Sequence, residues 1–200
     1  MKINLYSLLS SFSYFPNNTE KNNYFFSKKK YCIYPYNAFD KSNIFQSNSI
    51  TINEIPIELL KKAEIYPLPK TNELEFMKLY LQKNNIPESV VIEEARKDSP
   101  RNSLLFPENI DDNFDVAFRI YTDIFFIKNK NGKNVQLFED WFYFYRELQI
   151  PIAIEWCKEN DIKYFTSTRR QLFNRFRRKT FSFTVPDTIL QDIVNIIKKQ

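Results

Sequence analysis

A single glycine in 200 residues, Gly132, is the tightest constraint on this chain. Phosphate-cradling loops need several glycines, because only a residue without a β-carbon lets the backbone close around a phosphate or take positive φ freely. A nucleoside-triphosphate loop and a dinucleotide fingerprint are therefore both excluded. The chain also has no histidine, which removes Ser-His-Asp and Cys-His catalytic pairs and every histidine-ligated metal. Cys32 and Cys157 are too few for a four-thiolate zinc site or a disulfide framework. As two isolated thiols they fit a reducing, cytoplasmic compartment.

The rest of the composition is that of a folded chain. Hydrophobic residues make up 43% and charged residues 26%, so a chain of this length can bury about two thirds of its unfolded surface in a core. Phe, Tyr, Ile, Asn and Lys dominate, as an AT-rich genome such as that of a mobile element or virus would dictate. That bias accounts for part of the aromatic excess. No run approaches ~18 consecutive apolar residues, so no membrane partner is expected. Ile3 to Leu9 is interrupted by serine and reads as a first strand or helix rather than a signal peptide.

Organisation changes at Pro56. Residues 1–55 carry short apolar runs such as Tyr31 to Tyr36, punctuated by Asn pairs, and read as a strand-and-loop region. Residues 56–200 read as an α+β core domain. Pro56 followed by Glu58 marks a helix start, and Leu74, Met77 and Leu81 predict a helix over about 72–84. Glu88 to Lys97 predicts another. Val116 to Lys128 has the run of a strand, Asn131-Gly132 is a type I′ turn signal, and Lys133 to Phe138 reads as the returning strand. Pro151 to Glu159 predicts a helix with Asn160 as its C-cap, followed by a strand over 162–166. Thr168 to Arg178 has helical spacing. Phe181, Phe183 and Val185 alternate as a half-buried strand would, and Thr188 with Gln191 forms a capping box before a last helix. The fold class is α+β: a mixed sheet with a hairpin at about 116–138, packed by helices, then a basic helix, a strand and a final helix.

Two groups of residues could carry chemistry. Across an Asn131-Gly132 hairpin, counting outward places Asp123 opposite Asp140, and a one-residue slip brings Glu139 instead. Two carboxylates so placed repel, and a divalent cation such as Mg²⁺ relieves the repulsion. This acid, hairpin, acid arrangement, with the helix-then-strand stretch Ile152 to Thr166, resembles the PD-(D/E)xK restriction-endonuclease-like superfamily. Within it, the stretch is similar to the transposon-end (TnsA-like) nuclease branch. The resemblance covers residues 114–168 and implies a metal-dependent nuclease, with Asp123 and Asp140 or Glu139 holding Mg²⁺. The chain departs from that pattern where the family has lysine, two residues past the second acid: Trp141 or Phe142 stands there. The same residues also scan as a helix, since Trp141, Tyr145 and Leu148 are spaced i, i+4, i+7; Asp140 would then be an N-cap.

The second group is basic. Arg169, Arg170, Arg175, Arg177, Arg178 and Lys179 crowd one short segment, and no Asp or Glu occurs between Asp161 and Asp187. A solvated helix face normally alternates charge, whereas a guanidinium fork without acidic neighbours suits phosphate. Phe173 and Phe176 have the spacing of a buried stripe. The expected function is a nucleic-acid-binding subunit of a larger complex, with protein partners and with little or no catalysis of its own. The alternatives are the Mg²⁺-dependent nuclease and a protein-binding subunit that turns its arginines to an acidic partner.

Overall fold

Tyr24-Phe25-Phe26 and Ile33-Tyr34 are apolar without alternation, as strands buried on both faces must be. In the computed structural model, which describes residues 2–5, 8–9, 22–71, 73–98, 135–166 and 181–199, they form β2 (Tyr24–Ser27) and β3 (Cys32–Pro35). β1 is the short strand Ile3–Asn4. The chain then runs through α1 (Tyr36–Asp40), α2 (Asn43–Ser47), a 3₁₀ turn at Ile52–Glu54, α3 (Ile57–Lys62) and β4 (Ile65–Pro67). Next come α4 (Glu73–Lys83), α5 (Glu88–Asp98) and α6 (Val135–Glu159). Last are β5 (Tyr164–Phe165) and α7 (Asp187–Ile197). Helices with a small mixed set of strands make this an α+β fold, as the sequence implies.

The chain divides into two compact units, Met1–Thr71 with Ile150–Gln200, and Asn72–Gln149. In the first, β3-β2-β4 form an antiparallel sheet, and β1 pairs with β5 in parallel. The pleat sends neighbouring side chains to opposite faces. Phe25 and its cross-strand partner Tyr34 therefore join one core, with Phe39, Phe45, Leu60, Ile189 and Ile193. Phe26 and its partner Ile33 join another, with Ile3, Leu5, Ala153, Trp156, Cys157 and Ile162. Each fully buried ring contributes about 1.5–3 kcal/mol relative to exposure. On α7 the buried positions Ile189, Leu190, Ile193 and Val194 form the stripe that closes the first core.

The second unit packs α4, α5 and the α6 residues up to Gln149. Met77, Tyr80, Leu81 and Val91 are its buried core, with Trp141 and Phe144 against them. Tyr80 meets Trp141 edge-on at 5.3 Å, and Phe76 meets Tyr145 likewise at 5.7 Å. Edge-to-face contacts satisfy the ring quadrupoles.

Among the described residues, four helices end on a residue in the left-handed region, and none of the four is glycine. Ser49, Glu64, Asn85 and Asp161 have φ between 49 and 59°. After α6, Asp161 N–H donates to Lys158 and Ile162 N–H to Cys157, which is the paired bonding of a Schellman motif. Ser49-Ile50 and Asn85-Ile86 repeat it after α2 and α4. A chain with so little glycine accepts the β-carbon cost at these turns, about 1–2 kcal/mol at Ser49 and Glu64 and less at Asn85 and Asp161, whose short polar side chains tolerate the region.

Several sequence expectations are corrected. Residues 135–138, read as the returning strand of a hairpin, are the first turn of α6. The i, i+4, i+7 stripe from Trp141 governs, and a helix once nucleated extends into preceding residues that contain no breaker. Pro151, read as a helix start, lies inside α6; it lacks the N–H for that turn, and burial of Ala153, Trp156 and Cys157 beyond it offsets the loss. The strand read over 181–185 is reduced to one bridge, Phe181 beside Ile33, and Phe183 is 81% exposed. α7 starts at Asp187 behind Pro186 with no side-chain cap, so Thr188 lies within the helix. The two helices expected over 72–84 and 88–97 are α4 and α5.

Candidate nucleic-acid interface

The basic segment from Arg169 to Lys179 lies outside the described residues, but both of its flanks are fixed in the first unit. On the leading side, the α6 cap turns the chain at Asn160–Ile162. Asn160 Nδ2 donates to the Trp156 carbonyl at 2.8 Å, and Trp156 Nε1 donates to the Pro67 carbonyl at 3.1 Å. β5 then pairs with β1, with Ile3 opposite Tyr164, and Ile3 N–H donates to the Lys163 carbonyl at 2.9 Å. The Lys163 side chain faces solvent.

On the trailing side, Phe181 bridges to Ile33, and its ring stands edge-on to Tyr24 at 6.0 Å. Ser182 N–H donates to the Ile33 carbonyl at 3.0 Å.

The β2–β3 hairpin supplies a further cationic element, Lys28-Lys29-Lys30, at its tip. Ser27 pairs with Cys32 as the last rung, and the Lys30 N–H donates to the buried Ser27 Oγ at 3.3 Å. Tyr31, at φ 49°, closes the four-residue loop. Lys28 Nζ donates to the Asn160 carbonyl and to Asp161, each at 3.2 Å, while Lys29 Nζ lies 2.7 Å from Asp192 on α7.

The expected carboxylate pair is placed otherwise. Asp123, Asn131 and Gly132 lie outside the described residues. Glu139 and Asp140 fall in the first turns of α6, so their backbone is helical and the cross-strand register that set Asp140 or Glu139 opposite Asp123 is not formed at their end. The same helix pairs Arg146 with Gln149, a contact that the sequence reading did not bring together. The Arg146 guanidinium donates to Gln149 Oε1 at 2.9 Å and lies 5.9 Å over the Tyr145 ring. Burial holds its pKa below the ordinary arginine value, because desolvation penalises the charged form. Gln149 is wholly buried, and its Nε2 finds no hydrogen-bond partner among the described residues. The only sequence signal for the pair was its i, i+3 spacing.

Neither cysteine has a nucleophile's environment. Burial pushes the Cys157 thiol up to about 12, and it raises Cys32 against hydrogen bonding with Tyr34 and Ile33 that works the other way. Both remain thiols at neutral pH, and the thiolate is the reactive form. Among the described residues no three His, Cys, Asp or Glu side chains come together as metal ligands, and no helix is long and apolar enough to cross a membrane. Comparison with protein-family models, with curated proteins and with solved structures found no match for this chain.

Proposed function

We propose that this chain is a nucleic-acid-binding subunit of a larger complex, which contacts phosphates through the segment Arg169 to Lys179 and performs little or no chemistry of its own. The observation that carries the reading is the acid-free stretch between Asp161 and Asp187, which holds Lys163, five arginines and Lys179. Its support from the fold is that the stretch departs from β5 and returns at Phe181, two paired positions of one unit. Arginine's planar fork takes two phosphate oxygens at once, and no carboxylate within the stretch competes for it. The absence of histidine, together with a single glycine, is consistent with binding rather than catalysis.

Fluorescence anisotropy of the full chain against labelled duplex DNA and single-stranded RNA, over a range of salt, tests the reading. Affinity should fall with salt by about 0.9 log units per tenfold for each phosphate contact on duplex DNA. Arg170→Ala, Arg177→Ala and Arg178→Ala together should flatten that slope and weaken binding to all sequences alike, with the circular dichroism spectrum unchanged. Binding equal to wild type would assign the arginines to an acidic protein partner instead.

A further inference from the structure

We propose that the hairpin tip Lys28-Lys29-Lys30 is a second phosphate-binding element of this chain, and that Asp161 and Asp192 hold its lysines until a polyanion displaces them. The inference rests on the nucleic-acid reading above.

The hairpin touches the basic stretch at both ends. Lys28 Nζ bonds to the Asn160 carbonyl and to Asp161, the residue at which the acid-free stretch begins. Ile33 carries the bridge to Phe181 and accepts from Ser182, where the arginine segment ends. Phe26 pairs with Ile33 and Ser27 with Cys32, so both attachments fall within the last rungs below the tip. The two ends of the stretch are thus fixed beside these three lysines.

Three consecutive cations on one tight turn repel each other. Here two of them are neutralised by acids from different elements, the α6 cap and α7. Lys30 is exposed and forms no ion pair among the described residues. Asp161 is 93% exposed and Asp192 46%, so the pairs are surface ones, weak and screened by salt. A phosphodiester oxygen offers a lysine the same charge and the same acceptor as a carboxylate. Exchange of one for the other therefore leaves each lysine satisfied. The released aspartates then face a polyanion, which makes them a brake on binding.

The test uses the full chain with three probes: a labelled duplex of about 20 base pairs, a single-stranded RNA, and heparin, each titrated at several salt concentrations. Replacing the three lysines together with glutamine should lower the salt slope on duplex DNA by up to about 0.9 log units for each phosphate no longer neutralised. Asp161→Asn with Asp192→Asn should tighten binding about three- to tenfold at low salt, because two opposing charges are gone. Asparagine tolerates the positive φ at position 161, so this pair tests the idea even if the lysine variant melts early.

If neither set changes affinity while the arginine variant does, the inference is overturned and the nucleic-acid reading stands. If wild type binds none of the three probes, both fall. An effect of the lysines on heparin alone would make the ligand a sulfated polysaccharide and overturn the proposal.

Discussion

In the first unit aromatic rings fill both faces of a sheet, whereas in the second they come from two helices and mix with cations. Phe25 and Phe26 are wholly buried on opposite faces of β2, and Ser27 is the one buried polar side chain in that unit among the described residues. The second unit sets Tyr80, Trp141, Phe144 and Tyr145 against one another, with Lys83 Nζ 4.9 Å over the Phe144 ring and Arg146 over Tyr145. It also buries Gln149. The first unit is thus held by apolar area, the term that scales with the number of buried carbons. Both units also set rings edge to face, as at Phe25–Phe39 and Phe76–Tyr145; among the described residues the second adds ring–cation contacts, which are directional and smaller.

The two tryptophans make that contrast measurable, since Trp141 belongs to the second unit and Trp156 to the first. Phe39→Ala removes a wholly buried ring that packs against Phe25, Tyr34 and Phe45. It should cost about 3–5 kcal/mol. In denaturant titrations of single-tryptophan versions, the midpoint reported by Trp156 should fall much further than the one reported by Trp141. Equal shifts would show that the two units unfold as one and would dissolve the contrast.

The units were also unequally legible in the sequence. α4 and α5 could be read because a helix advertises itself locally: Met77 and Leu81 lie four apart, and Pro87 separates the two. The central strands gave a weaker signal, since burial on both faces removes alternation; Tyr31 to Tyr36 therefore showed as an apolar run without a partner. Which strands pair is a non-local fact. Nothing near Ile3 announces Tyr164, and nothing near Phe26 announces Tyr66. The misread returning strand arose from the opposite error, in which one strong local cue, Asn131-Gly132, overrode the helical stripe Trp141, Tyr145 and Leu148. Of the candidate site, the arginine cluster was visible as composition. The two aspartates that meet the hairpin lysines were not, because those contacts join residues more than a hundred positions apart.

Alkaline pH probes the first unit through its buried thiol. Cys157 belongs to it, is wholly buried, and has its pKa moved by burial from 9.0 to about 12. The native state therefore keeps the thiol protonated while the unfolded chain loses the proton above about 9. The stability that this group contributes is fully present below 9 and is lost as pH rises toward 12, with a slope near 1.4 kcal/mol per pH unit between those values. Tyr34 and Cys32, also raised by burial, act in the same direction. Cys157→Ala should reduce the slope by one proton's worth in urea titrations at pH 9 to 10.5. An unchanged slope would mean that Cys157 ionises in the folded state as it does in the unfolded chain.

The smallest effect concerns how the two units close their helices without glycine. The second unit ends α4 with Asn85, a residue that tolerates the left-handed region through its short polar side chain, whereas the first ends α3 with Glu64. Glutamate has no such compensation. Its β-carbon crowds the following carbonyl, at about 1–2 kcal/mol, against about 0.5–1 kcal/mol that glycine would lose in chain entropy. Glu64→Gly should therefore stabilise the protein by about 0.5–1 kcal/mol, and Asn85→Gly by less. The Glu64 N–H to Lys61 and its carbonyl to Lys28 N–H, both 2.9 Å, are backbone bonds that glycine keeps. Thermal melts of the two variants beside wild type read the difference directly. A gain at Asn85 equal to that at Glu64 would show that backbone strain is shared evenly between the units, and that side-chain chemistry at the turn contributes nothing to it.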